Sequence, residues 1–461
     1  MASALRRSLG GSCLLGALAL SAAACSLEPT SSQQAAATEA DSRAAWVRSE
    51  IAGQNEWLDD ETRAAKYDKM KQSAFSFYRG TNHLFWADFG ADPRLEQFGG
   101  SGARTWIQGD LHVENFGAFH DDDGRIVYDL NDFDETIVAD YQYDLWRAAV
   151  SLVLVADQQQ LPDGTARAAV DTFTETYLDT VEDYRGNDGE LDDFVDAAEA
   201  SPALAEFLAV VAAEESRRKM LDKWTLLVDG VRTLNTEYKK LAAVSDAEAQ
   251  SITAGFVSYG QSLTGGLDWS EEYFAIKGIA HRLNAGTGSL GVARYYVLIE
   301  GPTADQNDDV ILDVKQTLPA TGLSYDGDSD GFGQSESHRA VLGHQALGVN
   351  VDDHLGWMLV DGTTFLVRER SPYKETFPID EITNGAVLVE LAGQWGRITA
   401  TAHARADEDY DDDYVSYSFD KRLHQRTDEH HDEVRALVWE IASTYAAQAE
   451  LDYQAFLPMT E

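Results

Sequence analysis

Two short polar segments of this 461-residue sequence contain the residue types best suited to chemistry: GDLHVENFG at 109–117 and YDLNDFDET at 128–136. Between them, Asp-Asp-Asp-Gly at 121–124 is a strong hairpin-turn signal, so we expect the two segments to meet in space. Carboxylate and amide oxygens are the ligands that Mg²⁺ prefers, and a further aspartate can orient or deprotonate a nucleophile. The segments therefore predict a cation site beside a general base. The candidate residues are Asp110, His112, Asn115, Asp132 and Asp134.

A glycine-rich stretch, GTGSLG at 286–291, lies much further along the chain and is followed by a strand-like run that ends at Lys315. Glycines let a backbone close over phosphate groups, and a lysine supplies a point charge for them. A strand rather than a helix follows the glycines, which argues against a dinucleotide-binding βαβ unit. We expect Lys315 to pair with Glu336 in the next helix. The candidate phosphate-binding residues are Gly286, Gly288, Ser289, Gly291, Lys315 and Glu336.

The elements that must position these residues alternate in texture along the chain. Apolar periodicity predicts helices at 45–75, through much of 141–259, at 376–405 and at 431–453. Strand-like runs occur at 105–107, 115–119 and 125–128, and again at 293–299, 310–314, 357–360 and 364–367. A strand-rich portion therefore lies between two helix-rich portions.

The first two polar segments resemble those of phosphate-transferring enzymes. GDLH with Asn115 is similar to the catalytic loop of aminoglycoside phosphotransferases and related kinase-like enzymes, and DFD at 132–134 is similar to their metal-binding segment. The resemblance implies that Asp110 is the catalytic base and that Asn115 and Asp132 hold the metal. Asp129 and Asp134 compete with Asp132 for the ligand role.

Two further residues near these segments have two possible roles each. His112 either takes part in catalysis or is a hydrogen-bonded loop histidine, and Arg79 either contacts substrate or pairs with a buried carboxylate. Gln108 stands where many of the relatives have histidine.

The glycine-rich stretch resembles the phosphate-covering loop and the lysine-bearing strand of protein kinases. In kinases that loop precedes the catalytic loop, whereas here it follows. The later elements resemble the rest of a small kinase lobe, its hinge and the helix that leads into the catalytic loop. We therefore expect an α+β fold, protein-kinase-like and two-lobed, in circularly permuted order. Permutation is feasible because termini and loop tips often lie close together on a domain surface.

This interpretation divides the chain into five parts. We expect a lipoprotein signal peptide at 1–25, a flexible tether at 26–44, a helix-rich lobe at 45–272 and a small β lobe at 273–372. A helical segment at 373–461 is expected to complete the large lobe.

Taken whole, the chain resembles a bacterial family catalogued as a domain of unknown function. The resemblance covers most of the chain beyond the expected signal peptide and implies a kinase-like fold without naming a substrate. The shared segments are KM at 69–70, FSFYRGT at 75–81, GDLHVENFG at 109–117, YDLNDFDET at 128–136, GTGSLG at 286–291, DVK at 313–315 and AHAR at 402–405.

The amino end predicts export. Two arginines at 6 and 7 precede an apolar stretch too short to span a bilayer, and small residues lead directly to Cys25. This resembles the lipobox of bacterial lipoproteins, in which the cysteine is acylated; an ordinary signal peptide is the alternative. We expect a protein lipid-anchored to the cell envelope, at the outer membrane or cell surface. The only other cysteine, Cys13, lies in the signal peptide, so no disulfide framework is expected beyond the anchor.

Charge narrows the partners. Aspartate and glutamate number 79 against 36 lysine and arginine, for a net charge of −43, which argues against nucleic acid and anionic lipid surfaces as partners. The leading hypothesis is a phosphotransferase that uses Mg²⁺ and ATP or another nucleotide and acts on a small molecule. The alternatives are a non-catalytic, ligand-binding lipoprotein of kinase-like fold and a metal-dependent phosphoester hydrolase that uses Asp110, His112 and Asp132.

Overall fold

The structure, a computed structural model, describes residues 31–460 apart from 264–265, 284–285, 287–289 and 327–332, with side chains from residue 40 onward. By its internal contacts the chain divides after Arg43, and the cores and the candidate site described below belong to the unit Ala44–Glu461. Cys25, Gly288 and Ser289, named above as candidates, lie outside the described residues.

Helices form most of the described chain. In chain order they are α1 Ser31–Gln54, α2 Asp60–Met70, α3 Ala74–Arg79, α4 Asn82–Phe89, α5 Leu95–Phe98, α6 Gln142–Gln158, α7 Thr165–Tyr184, α8 Pro202–Glu214, α9 Arg217–Trp224, α10 Asp246–Ser262, α11 Glu336–Leu347, α12 Gly385–Arg405, α13 Phe419–Thr427 and α14 His431–Phe456. Side chains cap several amino ends, as where Ser245 and Glu248 form a capping box at α10.

The strands form one larger sheet and three short hairpins or pairs. They are β1 Arg104–Ile107, β2 Phe116–His120, β3 Ile126–Leu130, β4 Ile137–Asp140, β5 Thr225–Val228, β6 Val231–Leu234, β7 Leu241–Ala243, β8 Ile276–Arg282, β9 Arg294–Ile299, β10 Val310–Gln316, β11 Gly356–Val360 and β12 Thr363–Glu369. The six-stranded sheet is antiparallel in the order β11-β12-β10-β9-β8-β7. The pairs are β1 with β4, β2 with β3 and β5 with β6.

The central strand β10 is buried on both faces because a helix packs on each side of the sheet. Its residues alternate between the faces, so Val310, Leu312 and Val314 pack with α10, whereas Ile311 packs with the end of α9 at Trp224. Asp313 and Lys315 continue the α9 face, and the polar end of that face therefore remains available for a site.

The largest core lies among the helices. It joins α6, α7, α12 and α14 with the aromatic side chains of α3 and α4. Helix α6 is buried over nearly its whole length, from Gln142 to Ala156. Buried apolar area of this extent is the dominant favourable contribution to folding.

The α+β fold class is confirmed, with several differences in detail. The helix expected at 45–75 is three helices, because Asp59 and Ser73 cap new helical starts. The helical stretch at 141–259 is interrupted by β5, β6 and β7, and the later helix begins at Gly385 rather than 376. Strand β8 was not expected. In the described part of the chain, no helix is long and apolar enough to cross a membrane.

Candidate functional site

The hairpin β2–β3 brings the two polar segments together, as the turn signal predicted. Phe116 pairs with Leu130, and the Asn131 amide donates to the Asn115 carbonyl over 3.1 Å. The start of one strand thus lies beside the end of the other. Asn115 and Asp132 therefore lie at the same end of the hairpin and line one cleft.

Two side-chain amides fix the loop that carries Asp110. Gln108 accepts from the Asp110 backbone N–H (2.8 Å) and donates through Nε2 to the Asp132 carbonyl (2.6 Å). Asn115 donates through Nδ2 to the Asp110 carbonyl over 3.0 Å. The side-chain amide of Gln108 thus ties the loop that carries Asp110 directly to the segment that carries Asp132.

The buried carboxylate of Asp144 on α6 holds the backbone of this loop by hydrogen bonds. Asp144 accepts from the N–H groups of Gln108 and Gly109, at 2.7 and 2.9 Å, and contacts His403 Nε2 of α12 at 3.2 Å. The other ring nitrogen of His403 contacts the Tyr177 hydroxyl at 2.9 Å. Three helices therefore converge on one turn of backbone.

Gly109 occupies a position that only glycine fits. Its φ is +80°, and a Cβ there would overlap the carbonyl oxygen of Glu135. Its own carbonyl accepts from Asn82 Nδ2 and from the Trp86 indole, each at 3.1 Å. The aromatic segment around α4 thus also positions the loop.

Asp110 itself is held by a buried arginine. Arg147, fully buried on α6, donates through Nε to Asp110 Oδ1 at 2.7 Å, and its guanidinium carbon lies 4.3 Å from the centre of the Tyr78 ring. Burial raises the pKa of Asp110 to about 6 although Arg147 opposes the shift. A carboxyl with a pKa near neutrality is suited to proton transfer.

The six-stranded sheet contributes the cations. Lys315 on β10 forms an ion pair with Asp134, and Arg294 on β9 donates through Nε to Asp313 at 2.6 Å. Burial raises the pKa of Asp132, but Lys315, Arg368 and nearby cations outweigh it, so that the pKa lies below its ordinary value. Asp132 is therefore a carboxylate at neutral pH.

Some of these groups line an open cleft of about 540 Å³, whereas Asp110 and Asp134 are not among its lining residues. It contains Asn115, Asn131 and Asp132 of the hairpin, Gly286 of the glycine-rich stretch, and the sheet residues Arg294, Asp313, Lys315 and Arg368. The remaining lining is mostly charged: Arg79, Glu114, Lys223, Trp224, Lys240, Arg282, Tyr296, Arg370, Lys374, Glu375 and Thr376.

Several candidates lie elsewhere than expected. The pairing of Glu336 with Lys315 does not occur, because Lys315 pairs with Asp134 whereas Glu336 bonds Arg339 at 2.9 Å. His112 is 3% exposed and packs edge-on against Phe75, and burial holds its pKa well below the usual range. That side chain is a neutral core residue and does not line the cleft.

The other candidates divide as follows. Arg79 forms an ion pair with the half-exposed Glu114 while both side chains line the cleft. Asp129 lies away from the cleft, in a small cavity with Arg405, and burial raises its pKa to about 6. Gly291 has a φ of +87° and packs against Leu58. Of the three aspartates considered for the metal, Asp132 is the one that lines the cleft.

Asp132 and Asn115 offer the oxygen chemistry that Mg²⁺ takes in phosphate sites, where one or two protein ligands act together with substrate phosphates. In the described residues, two groups of three Asp, Glu or His side chains are close enough to share an ion: Glu175, Asp179 and His431, and Asp352, His354 and Glu369. Each already contains a cation partner, since Arg435 bonds Glu175 and Arg217 bonds Glu369. Neither group includes Asp132.

Sequence reasoning missed Arg147, Asp144 and most of the cleft cations. A signal existed for the first two, because a charged side chain inside an otherwise apolar helical run is buried only when it is paired. For the cations Lys240, Arg282 and Arg370 there was none, because they stand on separate elements that only the fold brings together.

The comparison with family models decides the chain's membership. The model described as an uncharacterized protein conserved in bacteria, DUF2252, matches residues 58–458. The chain belongs to this family. The expected resemblance to a bacterial domain of unknown function is thereby confirmed. The curated proteins gave no match, and the solved structures gave none either.

Proposed function

We propose that the protein is a Mg²⁺- and nucleotide-dependent phosphotransferase that acts on a small molecule. Asp132 and Asn115 would hold Mg²⁺, Lys315 and the backbone at Gly286 would hold the donor phosphates, and Asp110 would orient and deprotonate the acceptor hydroxyl. When bound, the cation would supply positive charge that neutralises the donor phosphates.

One observation carries the proposal: the contact between Lys315 and Asp134, which are 181 residues apart in sequence. It places the lysine-bearing strand against the segment that includes Asp132. The lysine, the carboxylate and the amide to which we assign these roles line the same cleft. Groups that act on one ligand in phosphoryl transfer must lie together in this way.

The positions of Asp110 and Arg147 support catalysis rather than binding alone. A general base needs a fixed orientation and a pKa near the working pH. The orientation of Asp110 is fixed by its contact with Arg147 and by the hydrogen bond from its backbone N–H to the Gln108 side chain. Its pKa of about 6 lies near the working pH.

Element order supports a kinase-like fold in circularly permuted order. The hairpin β8–β9 spans the glycine-rich stretch, β10 carries Lys315, and α11, β11 and β12 follow before an extended link to α12. The segment carrying Asp110 precedes all of them in sequence while it lines the same cleft region from the helical side. We further propose that Cys25 anchors this enzyme to the cell envelope.

Thermal melting with Mg²⁺ and ATP or GTP tests the proposal. A nucleotide at a hundred times its dissociation constant should add about 2.7 kcal/mol to the free energy of unfolding. Asp132→Asn and Lys315→Met should abolish that gain, because both act on the donor phosphates. Asp110→Asn should keep it and lose turnover by roughly 10² to 10⁴.

Asp129→Asn is the matched control, since it removes a carboxylate of the same segment that does not line the cleft. It should bind nucleotide as the parent does. No stabilisation of the parent by any Mg²⁺–nucleotide would refute the proposal. Equal loss of binding in Asp110→Asn and Asp132→Asn would instead identify Asp110 as a metal ligand, which is the arrangement expected of a hydrolase.

A further inference from the structure

The charge of the cleft opposes the charge of the chain. Acids outnumber Lys and Arg by 79 to 36 in the whole sequence, but the cleft lining includes nine Lys or Arg and four acids. These nine basic side chains are Arg79, Lys223, Lys240, Arg282, Arg294, Lys315, Arg368, Arg370 and Lys374. Repulsion from Arg368, together with burial, holds the pKa of Lys374 well below its usual range. Mutual repulsion makes such a cluster costly unless an anion is bound to it.

Only part of this charge is neutralised from within. Arg79, Arg294 and Lys315 have carboxylate partners. Within the described residues, the other six have no carboxylate at ion-pair distance: Lys223, Lys240, Arg282, Arg368, Arg370 and Lys374. Arg368 donates to the Asn131 carbonyl and lies near Asp132, at the end assigned above to the donor phosphates. The donor therefore leaves a second set of cations unused.

Two members of that second set lie against Trp224. The guanidinium carbons of Arg282 and Arg370 lie 5.1 and 5.4 Å from the centre of its ring. Lys240 is adjacent, because the Leu283 amide donates to the Lys240 carbonyl over 2.9 Å and β7 pairs with the end of β8. Stacking holds both guanidinium groups in place before a ligand arrives, which lowers the entropy lost on binding.

The lining also restricts the ligand's remaining chemistry. Among the described residues that line the cleft, the aromatic ones are Trp224 and Tyr296. None of these described lining residues has an aliphatic side chain. The guanidinium group of Arg282 lies against both of these rings. Sites for largely apolar ligands are lined mainly by hydrophobic side chains. A ligand of this end of the cleft must therefore be densely charged.

We propose that Lys240, Arg282 and Arg370 bind a soluble small molecule that carries several phosphate groups, as the second ligand of the cleft. Its role as the phosphate acceptor rests on the proposed function, whereas its binding does not. One guanidinium group can donate two parallel hydrogen bonds to two oxygens of a phosphate, which makes arginine the suitable residue for this recognition.

Isothermal titration calorimetry of the full-length protein, with inositol hexakisphosphate as the probe and without Mg²⁺ or nucleotide, tests the proposal. The parent should bind the probe and should not bind unphosphorylated inositol. Arg282→Gln combined with Arg370→Gln should weaken binding by roughly 100-fold, since each lost charged hydrogen bond accounts for about tenfold. Lys240→Gln, which disturbs no stacking, should weaken it by about tenfold and keeps the test valid if the double variant does not fold.

Arg218→Gln combined with Lys239→Gln is the matched control, because it removes the same charge from exposed residues that do not line the cleft. It should bind the probe within about twofold of the parent, since exposed charges are screened by salt. Equal weakening in both double variants would mean a general charge effect and would overturn the proposal, as would an absence of binding.

Two further arms separate this proposal from its alternatives. Asp132→Asn should lose Mg²⁺–nucleotide binding yet keep the probe, so failure of the proposed function is distinguishable from failure of this site. A lipid headgroup offers the same phosphate chemistry, so the parent is also sedimented with phosphatidic-acid vesicles. Binding to vesicles without binding to the soluble probe would refute a soluble ligand.

Discussion

Replacing Asp144 tests whether α6 positions the loop that carries Asp110. The carboxylate is 1% exposed and accepts from the N–H groups of Gln108 and Gly109, both of which are buried. Asp144→Ala leaves two buried donors without an acceptor. Each such donor costs about 1–3 kcal/mol, so the free energy of unfolding should fall by about 2–6 kcal/mol. Asp144→Asn keeps one acceptor oxygen and should lose about half as much.

Differential scanning calorimetry gives the corresponding change in Tm. An unfolding entropy of about 2.1 cal/mol/K per residue means that about 1 kcal/mol shifts the Tm of a unit this long by about 1 °C. Asp144→Ala should therefore melt about 2–6 °C below the parent. Hydrogen exchange read by mass spectrometry should also accelerate in the peptide that contains residues 108 and 109.

Asp68→Ala is the control for the loss of a carboxylate as such. Asp68 forms an exposed ion pair with Lys71 on α2, and such pairs contribute about 0–1 kcal/mol. This role of Asp144 is contradicted if Asp144→Ala has the same Tm as Asp68→Ala and if the amides of residues 108 and 109 exchange at the parent's rate.

Three other predictions concern pH, a glycine and the anchor. Burial raises the carboxyl pKa of seven side chains to about 6 or 7; these are Asp110, Asp122, Asp129, Glu135, Asp140, Glu190 and Asp407. A raised pKa means that the folded state binds these protons more tightly, so Tm should fall between pH 5 and pH 8; a Tm that rises over this range contradicts the assignment. Gly109→Ala should lower the free energy of unfolding by at least about 1 kcal/mol in urea, since it combines a positive φ with overlap of the Glu135 carbonyl; an unchanged midpoint would exclude the described turn. Cys25→Ala should move the protein from the membrane to the soluble fraction on cell fractionation, and co-sedimentation of the variant with membranes would exclude a lipid anchor.

The fold was predictable where local signals agreed with each other. The hairpin β2–β3 follows from a turn signal between alternating runs, and strands β9 to β12 follow from β-branched and aromatic runs. Helix boundaries were less predictable, because the periodicity at 45–75 continues through the breaks that Asp59 and Ser73 cap. Strand β8, with Lys277, His281 and Arg282, has too many polar residues to read as a buried strand.

The site was predictable where its residues are close in sequence. Asp110, Asn115 and Asp132 lie on either side of one hairpin, so local reasoning brings them together. The predicted partner of Lys315, Glu336, was wrong because a pairing between the strand and the next helix was assumed from their order in the sequence alone. The structure gives that role to Asp134 from the hairpin segment. Long-range pairings of this kind depend on the tertiary packing of elements that are distant in sequence, which no local pattern encodes.

Net charge describes the whole surface and not the site. A net charge of −43 argues against long polyanions as ligands, because these must contact a broad area of the surface. It does not describe the local charge of a cleft whose cations come from positions 79 to 374. Around such a cleft, acidic outer surface repels anions at long range while the low-dielectric walls concentrate the local positive field. The expected consequence is selectivity by size: a compact phosphorylated ligand can enter and reach the cations, whereas an extended polyanion is repelled before contact. Association should therefore accelerate with added salt for extended polyanions but not for the small probe, because screening weakens the outer repulsion first.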